Sequence, residues 1–342
     1  MPRRRGSGPG RSSSERSISK EHGSSSPTAS PLPWEQPGWR ESVAAWIDQT
    51  LLEAGIERSA EIDHLRERPW AAIAVVETSE GKAFFKASAP SVAFEPALTL
   101  ELSRRRPDCI AAVLGIDVDR GWMLARDAGI QLREVLADSN DARIWDLVLP
   151  LYAELQIELS ESLDELLALG VHDKRPSALP VLYEELGGKP ALVGEIERLV
   201  AELGDTVPAS IAHEEVQDHN IFLRNGHPVF IDWAEASVAH PFGSLVVTMR
   251  GLVDRWGLEP GGPELLRYRD LYLEPWSRFA PLPELRRLFS HAHTLGAVCR
   301  ALTWHRLISP LGEEVQAEYG HAEPVWLDIF VATLEGRATL GT

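Results

Sequence analysis

The sequence predicts an α+β chain, a β-rich half followed by an α-rich half. Three observations carry this. Short β-branched and aromatic runs fill residues 70–127, apolar residues recur at helical spacing beyond Gly129, and one tight hairpin, "IFLRNGHPVFI", interrupts the helical half.

Taken in order, residues 1–32 are Ser, Gly, Pro and Arg with almost no apolar side chain, too few to offset the entropy of ordering. They predict a disordered basic tail. Six basic residues stand there against Glu15 and Glu21, so the net charge of −17 resides in the body of the chain. An acidic body excludes nucleic acid as a partner and fits either a cationic small substrate or plain solubility. No run of about 18 apolar residues exists, and no apolar core follows the N-terminal arginines. The expectation is a cytoplasmic protein without a membrane span. Cys109 and Cys299 match no ligand spacing and read as buried reduced thiols.

Val43, Trp46, Ile47, Leu51 and Leu52 predict a helix that stops at Gly55. "AAIAVVE" and "KAFFKAS" predict a hairpin turning at Ser79 to Gly81, followed by a short helix in "FEPALTLELS". Two further strands are expected in "CIAAVLGIDV" and "GWMLARD". Beyond Gly129, Ile144, Leu147, Val148, Leu151, Leu155 and Leu159 predict one face of a helix, with Pro150 as a kink site. Helices dominate again over 243–339. The lobes are expected at 33–127 and 128–342.

Function concentrates in "HEEVQDHNIFLRNGHPVFIDW", residues 213–233. Asn225-Gly226 suits a type I′ turn, which needs positive φ at both positions. Arg224 then faces His227, Phe222 faces Val229, and Asn220 and Asp232 emerge together at the open end. An amide oxygen beside a carboxylate suits Mg²⁺ carried by nucleotide phosphates. Glu215 arrives at the same end, and its spacing to Asn220 and Asp232 matches the D-x-x-x-x-N…D of kinase-type phosphotransferases.

These residues resemble the "HGDxHxxN…IDW" signature of the aminoglycoside phosphotransferase and choline kinase-like superfamily, over about residues 70–335. The resemblance implies a bilobal protein-kinase-like fold with a small antiparallel β N-lobe and a larger, mainly helical C-lobe. It implies transfer of the γ-phosphate of ATP or GTP, with Mg²⁺, to a hydroxyl of a small molecule. Lys86 would pair with nucleotide phosphates and Glu95 with Lys86, Glu101 being the alternative partner. Leu124, Ala125 and Asp127, in "MLARDAG", would receive the base. Asn220 and Asp232 would hold the metal, and Glu215 would orient or deprotonate the acceptor.

Three departures qualify this. Glu215 replaces the family's Asp, so either the loop shifts to compensate, Asp218 serves as base, or the chain is a pseudokinase that binds without transfer. A metal-dependent hydrolase using the same acids is a third reading. "AHPFGSL", residues 239–245, replaces "GDPxxDL", and no Gly-rich loop precedes the first hairpin. Among the remaining candidates, His213 is expected to brace the loop and Trp233 to be core, while Glu235 reads as a supporting acid or a solvated one. His291 and His293, two apart on a helix, diverge by about 200° and do not share a metal. Arg300, Trp304 and His305 share a helix where the family builds its acceptor pocket; packing explains them equally well.

Overall fold

The computed structural model describes residues 32–62, 66–137 and 141–341. The expected tail therefore lies, apart from Leu32, outside the described residues. Helix α1 (Trp39–Glu53) leads into β1 (Arg66–Arg68), β2 (Ala71–Thr78) and β3 (Gly81–Ser88), then α2 (Glu95–Arg105), β4 (Val113–Asp117) and β5 (Trp122–Arg126). The five strands form one antiparallel sheet in the order β1-β2-β3-β5-β4.

Alternation along these strands decides what the sheet can do. Phe85 and Trp122 point to one face, where Trp39 and Trp46 of α1 meet them edge-on at 5.7–6.3 Å. Lys86 is in register with Ile73 on one side and Met123 on the other, so these three share the opposite face. One face is thus sealed by tryptophan and the other is left to line a cleft. Leu52, expected on the packed side of α1, is exposed because α1 buries only the stripe through Val43, Ile47 and Leu51.

Gly129 makes the crossing to the second lobe. Its φ is +109°, and a Cβ there would lie 2.2 Å from the Leu223 carbonyl oxygen. The close approach lets β6 (Ile130–Gln131) pair with β9 (Ile221–Arg224), which pairs in turn with β10 (His227–Phe230). Between them run α3 (Leu132–Val135), α4 (Trp145–Leu159), α5 (Leu163–Ala168), β7 (His172–Lys174), α6 (Leu179–Glu185), α7 (Pro190–Leu203) and β8 (Ser210–Ala212). After β11 (Ser237–Ala239) come α8 (Val246–Trp256), α9 (Pro263–Leu273), α10 (Leu282–Ile308), α11 (Glu313–Tyr319) and α12 (Ala322–Leu334). The architecture is α+β and bilobal.

The hairpin has the expected register, with positive φ at Asn225 and Gly226. It is not isolated, however. It is the outer part of a three-stranded sheet, and a second such sheet, β7-β11-β8, lies nearby. Strands of two or three residues leave no periodicity to read, and their pairing is a backbone matter. Helix α4 runs through Pro150 and buries Trp145, Val148, Leu149, Tyr152, Gln156 and Leu159. Leu147, expected on that face, is 56% exposed. The other expected positions hold: Val148, Leu155 and Leu159 are fully buried, and Ile144 and Leu151 pack partly buried against the core, while Gln156 joins the buried face by donating to the Ile211 carbonyl at 2.7 Å. Among the described residues no helix is long and apolar enough to cross a membrane.

Candidate active site

Lys86 is the centre of the cleft. Its Nζ donates to Glu95 Oε1 at 2.6 Å and to Asp232 Oδ1 at 2.7 Å, joining the sheet, α2 and the segment after β10. Glu95 opens α2, where a carboxylate is favoured by the helix dipole, and Ser88 Oγ donates to its other oxygen at 2.8 Å. Burial opposes the charge on Lys86, but Asp232 and Glu95 outweigh it and raise its pKa, so it stays an ammonium. Glu101, the alternative partner, instead accepts from Arg105 one turn along the same helix.

A cavity opens from this lysine between the lobes. Ile73, Met123 and Ala125 line it from the sheet, Phe222 and Ile231 from the opposite side, and Asp232 at its end. Of the three residues expected to receive the base, Ala125 lines the cavity, together with Arg126 and Ala128. Leu124 is fully buried, with its backbone paired to β3 and β4, and Asp127 donates its N–H to the Lys82 carbonyl and accepts the Gly129 N–H with its carboxylate, so neither lines the cavity.

The loop before β9 is built by one strained residue. Glu214 has φ +65°, in the left-handed region, and this reversal sends consecutive glutamates in opposite directions. Glu215 turns to the cleft, where Asn220 Nδ2 donates to its carbonyl at 3.1 Å and its Oε2 at 3.3 Å. Burial raises the Glu215 pKa, while His219 and Arg300 outweigh that and hold it below the usual value. His213 braces the loop as expected: Nε2–H donates to the Ile231 carbonyl at 2.8 Å, and Nδ1 accepts from the Glu215 N–H at 3.3 Å. Burial lowers its pKa and keeps it neutral. Its own N–H reaches Tyr152 Oη at 2.9 Å, and Tyr152 donates to Ser244. Ser244, in the divergent "AHPFGSL", thus does structural work, as does His240, whose pKa burial alone pushes down to about 3.

Asn220 and Asp232 come together as the hairpin requires, the Ile231 N–H bonding to the Asn220 carbonyl at 3.0 Å. Asp232 has φ +63°, which turns its carboxylate back over the strand end toward Lys86, and it remains 41% exposed. With its amide nitrogen spent on Glu215, Asn220 leaves Oδ1 without a hydrogen bond among the described residues. That oxygen and the Asp232 carboxylate are a hard donor set that fits a nucleotide-borne Mg²⁺. Asp218 points elsewhere. Arg133 clamps its Oδ1 at 2.8 and 3.1 Å, and although burial raises its pKa, His219 and Arg133 bring it down to about 2, too low for a base.

Sequence reading named Glu235 and Arg300 singly but missed the buried ionic network under the loop that joins them to Glu214 and Lys174. Glu214 is 2% exposed and accepts from Lys174 Nζ at 2.7 Å, from Ser237 and from Thr303. Burial raises its pKa, and Lys174 with Arg300 more than offsets this. Arg300 pairs with Glu235, whose pKa burial pushes up to about 7. These groups come from β7, β11 and α10, and no local pattern marks them; the one signal was a Glu where the related signature has Gly. Trp304 and His305 are not with Arg300. They line a separate recess with Tyr319, and Trp304 meets Trp70 of the β1–β2 turn at 6.3 Å. That two-residue turn stands where a Gly-rich loop would be, fixed by aromatic contacts to α10 and, through Tyr319 at 5.2 Å, to α11.

Solved structures share the overall fold. An ethanolamine kinase of Plasmodium vivax aligns with TM-score 0.57 and 13% identity, over 86% of this chain and 90% of its own. A choline kinase from Streptococcus pneumoniae aligns at 0.54 and 12%, over 85% and 98%. The chain has a kinase-like fold similar to these. A macrolide 2′-phosphotransferase type I, at 0.52 and 13% over 82% and 97%, shares the same kinase-like fold. No protein-family profile and no curated protein sequence matches the chain.

Proposed function

We propose that the chain transfers the γ-phosphoryl group of ATP or GTP to a hydroxyl of a small molecule. The observation that carries this reading is Lys86 held by Glu95 and Asp232 at 2.6 and 2.7 Å, with Asn220 and Glu215 on the adjoining loop. Residues 33–127 then form the nucleotide lobe and 128–342 the acceptor lobe. Ile73 and Phe222 would flank the base, with Ala125 and Ala128 beside it, and Lys86 would pair with the phosphates. Mg²⁺, bound with the nucleotide by Asn220 and Asp232, supplies charge neutralisation. Glu215, ionised at neutral pH, accepts a hydrogen bond from the acceptor hydroxyl and takes its proton as the oxygen–phosphorus bond forms and the nucleoside diphosphate leaves. Rate comes mainly from positioning and electrostatics.

A second reading is a binding protein that does not transfer, favoured by the direct Lys86–Asp232 contact, which occupies both groups, and by Glu215. The deciding experiment is thermal stabilisation by ATP and GTP, with and without Mg²⁺, followed by a transfer assay. Ligand at 100 times its Kd stabilises by about 2.7 kcal/mol. A Mg²⁺-dependent shift with transfer that disappears in Asp232→Asn supports the kinase; a shift without transfer to any acceptor supports the second reading; no shift refutes the kinase and leaves a binding protein for another ligand.

A further inference from the structure

A cavity of about 560 Å³ opens beside the catalytic loop and shares no lining residue with the nucleotide cleft. Val216 to Asp218 form one wall, and Arg250 and Trp256 of α8 and Trp326 of α12 form others. Trp326 ties the cavity to the chemistry. The guanidiniums of Arg250 and Arg300 each lie 5.7 Å from its ring centroid, and Arg300 is the partner of Glu235 and lowers the pKa of Glu215.

The charges lining this cavity run against the rest of the chain. The protein carries −17, yet three arginines, at 133, 250 and 255, face two acids here, Asp218 and Asp254. Asp218 is already held by Arg133. Arg255 is exposed, donates to the Leu136 carbonyl and lies 5.4 Å from the Trp256 ring centroid. Among the described residues Arg250 has no hydrogen-bond or ion-pair partner, and its Nη1 is buried without an acceptor. An unsatisfied guanidinium donor away from water is costly, and a phosphate or carboxylate oxygen matches its fork.

Resting on the phosphotransferase reading, we infer that this cavity seats the acceptor and that the acceptor carries an anionic group, a phosphate monoester or a carboxylate, gripped by Arg250. The tryptophan walls cover its carbon skeleton, and its hydroxyl is directed along the loop to Glu215. This reverses the cationic acceptor that the acidic composition suggests.

The test is titration calorimetry on the full chain with four small hydroxyl compounds: glycerol 3-phosphate, glycerate, glycerol and choline. One or both anions bind at least about tenfold tighter than glycerol and choline, and the comparison of the two anions distinguishes phosphate from carboxylate. Arg250→Met weakens the preferred anion by about ten- to a hundredfold, the range for a hydrogen bond to a charged group. Asp254→Asn, at an exposed site with little folding risk, tightens it by about two- to fivefold. Tightest binding by choline, binding by neither anion, or anion affinity indifferent to both variants overturns the inference. Mg²⁺–nucleotide affinity, measured on the same samples, separates the two levels. Anion binding that depends on Arg250 in a chain that binds no nucleotide sinks the phosphotransferase reading and leaves the anion site, whereas nucleotide binding with a preference for choline does the reverse.

Discussion

Glu214 and Glu215 are adjacent and chemically identical, yet the fold gives them opposite tasks. Glu214 faces inward and is compensated by Lys174, Ser237 and Thr303, groups from β7, β11 and α10. Glu215 faces the cleft and touches only its own loop, Asn220 and His219. One carboxylate holds the loop in place and the other is what the loop presents. The difference follows from a single backbone reversal at φ +65°, which separates an energetic role from a chemical one across one peptide bond.

The comparison breaks most readily at Glu214. Glu214→Ala leaves Lys174 charged, buried and without its partner, and should cost about 3–5 kcal/mol in denaturant unfolding. Adding Lys174→Met should recover much of that loss, since removing both charges removes the unpaired one; failure to recover any would show that the pair is not what stabilises the loop. Lys86→Met tests the cleft from the other side. We expect transfer to fall by about a hundred- to a thousandfold with nucleotide affinity also weakened, read by initial rates and by calorimetry.

Glu215→Ala should lower kcat by about a hundredfold or more while changing stability by less than about 1 kcal/mol, the reverse of the Glu214 result. A stability loss equal to that of Glu214→Ala would erase the distinction drawn here. Glu215→Asp sharpens it further. The loop is fitted to a glutamate, whose Oε2 meets Asn220 at 3.3 Å, and shortening the side chain withdraws the carboxylate by about 1 Å or more. Activity should therefore drop about tenfold rather than rise toward that of an enzyme built around Asp.

The smallest effect concerns His219. Burial lowers its pKa, and the Asp218 and Glu215 carboxylates more than reverse this, raising it to about 9 from an ordinary 6.5, with Arg133 opposing them. A raised folded-state pKa means that the stabilisation is fully present below pH 6.5 and is lost as pH rises toward 9. NMR titration of the ring checks this. A value at or below 6.5 would mean that the Arg133 Nη2 contact to Nδ1, at 3.0 Å, wins over the carboxylates.

Much of this was legible in advance where the signal is local. The Asn225-Gly226 turn fixes the hairpin register, and the register alone brings Asn220 and Asp232 to one end. The Lys86–Glu95 pair, nine residues apart across one strand-to-helix connection, came from the family resemblance rather than from the residues alone. Of the residues expected to receive the base, Ala125 lines the cavity while Leu124 and Asp127 do not, because sequence shows a strand but not which of its neighbours pair with it. On α4 only Leu147 was misassigned, and Tyr152 and Gln156 were not anticipated, because an apolar count cannot see side chains buried by hydrogen bonds. The basic character of the cavity was hidden for a related reason. Net charge averages over the chain, while the cavity collects arginines from α3 and α8 that are far apart in sequence.

By itself, then, the sequence determined the α+β class, the hairpin and the acids and amide at its open end, because turns, periodicities and short spacings are properties of neighbouring residues. The tertiary structure alone decided which of two adjacent glutamates is buried, that Arg133 disarms Asp218, that Trp70 is anchored on α10 and α11, and which charges converge beside the catalytic loop. Those outcomes depend on burial and on partners brought from distant segments, and the free energy of a charge is set by what surrounds it in space rather than by its place in the chain.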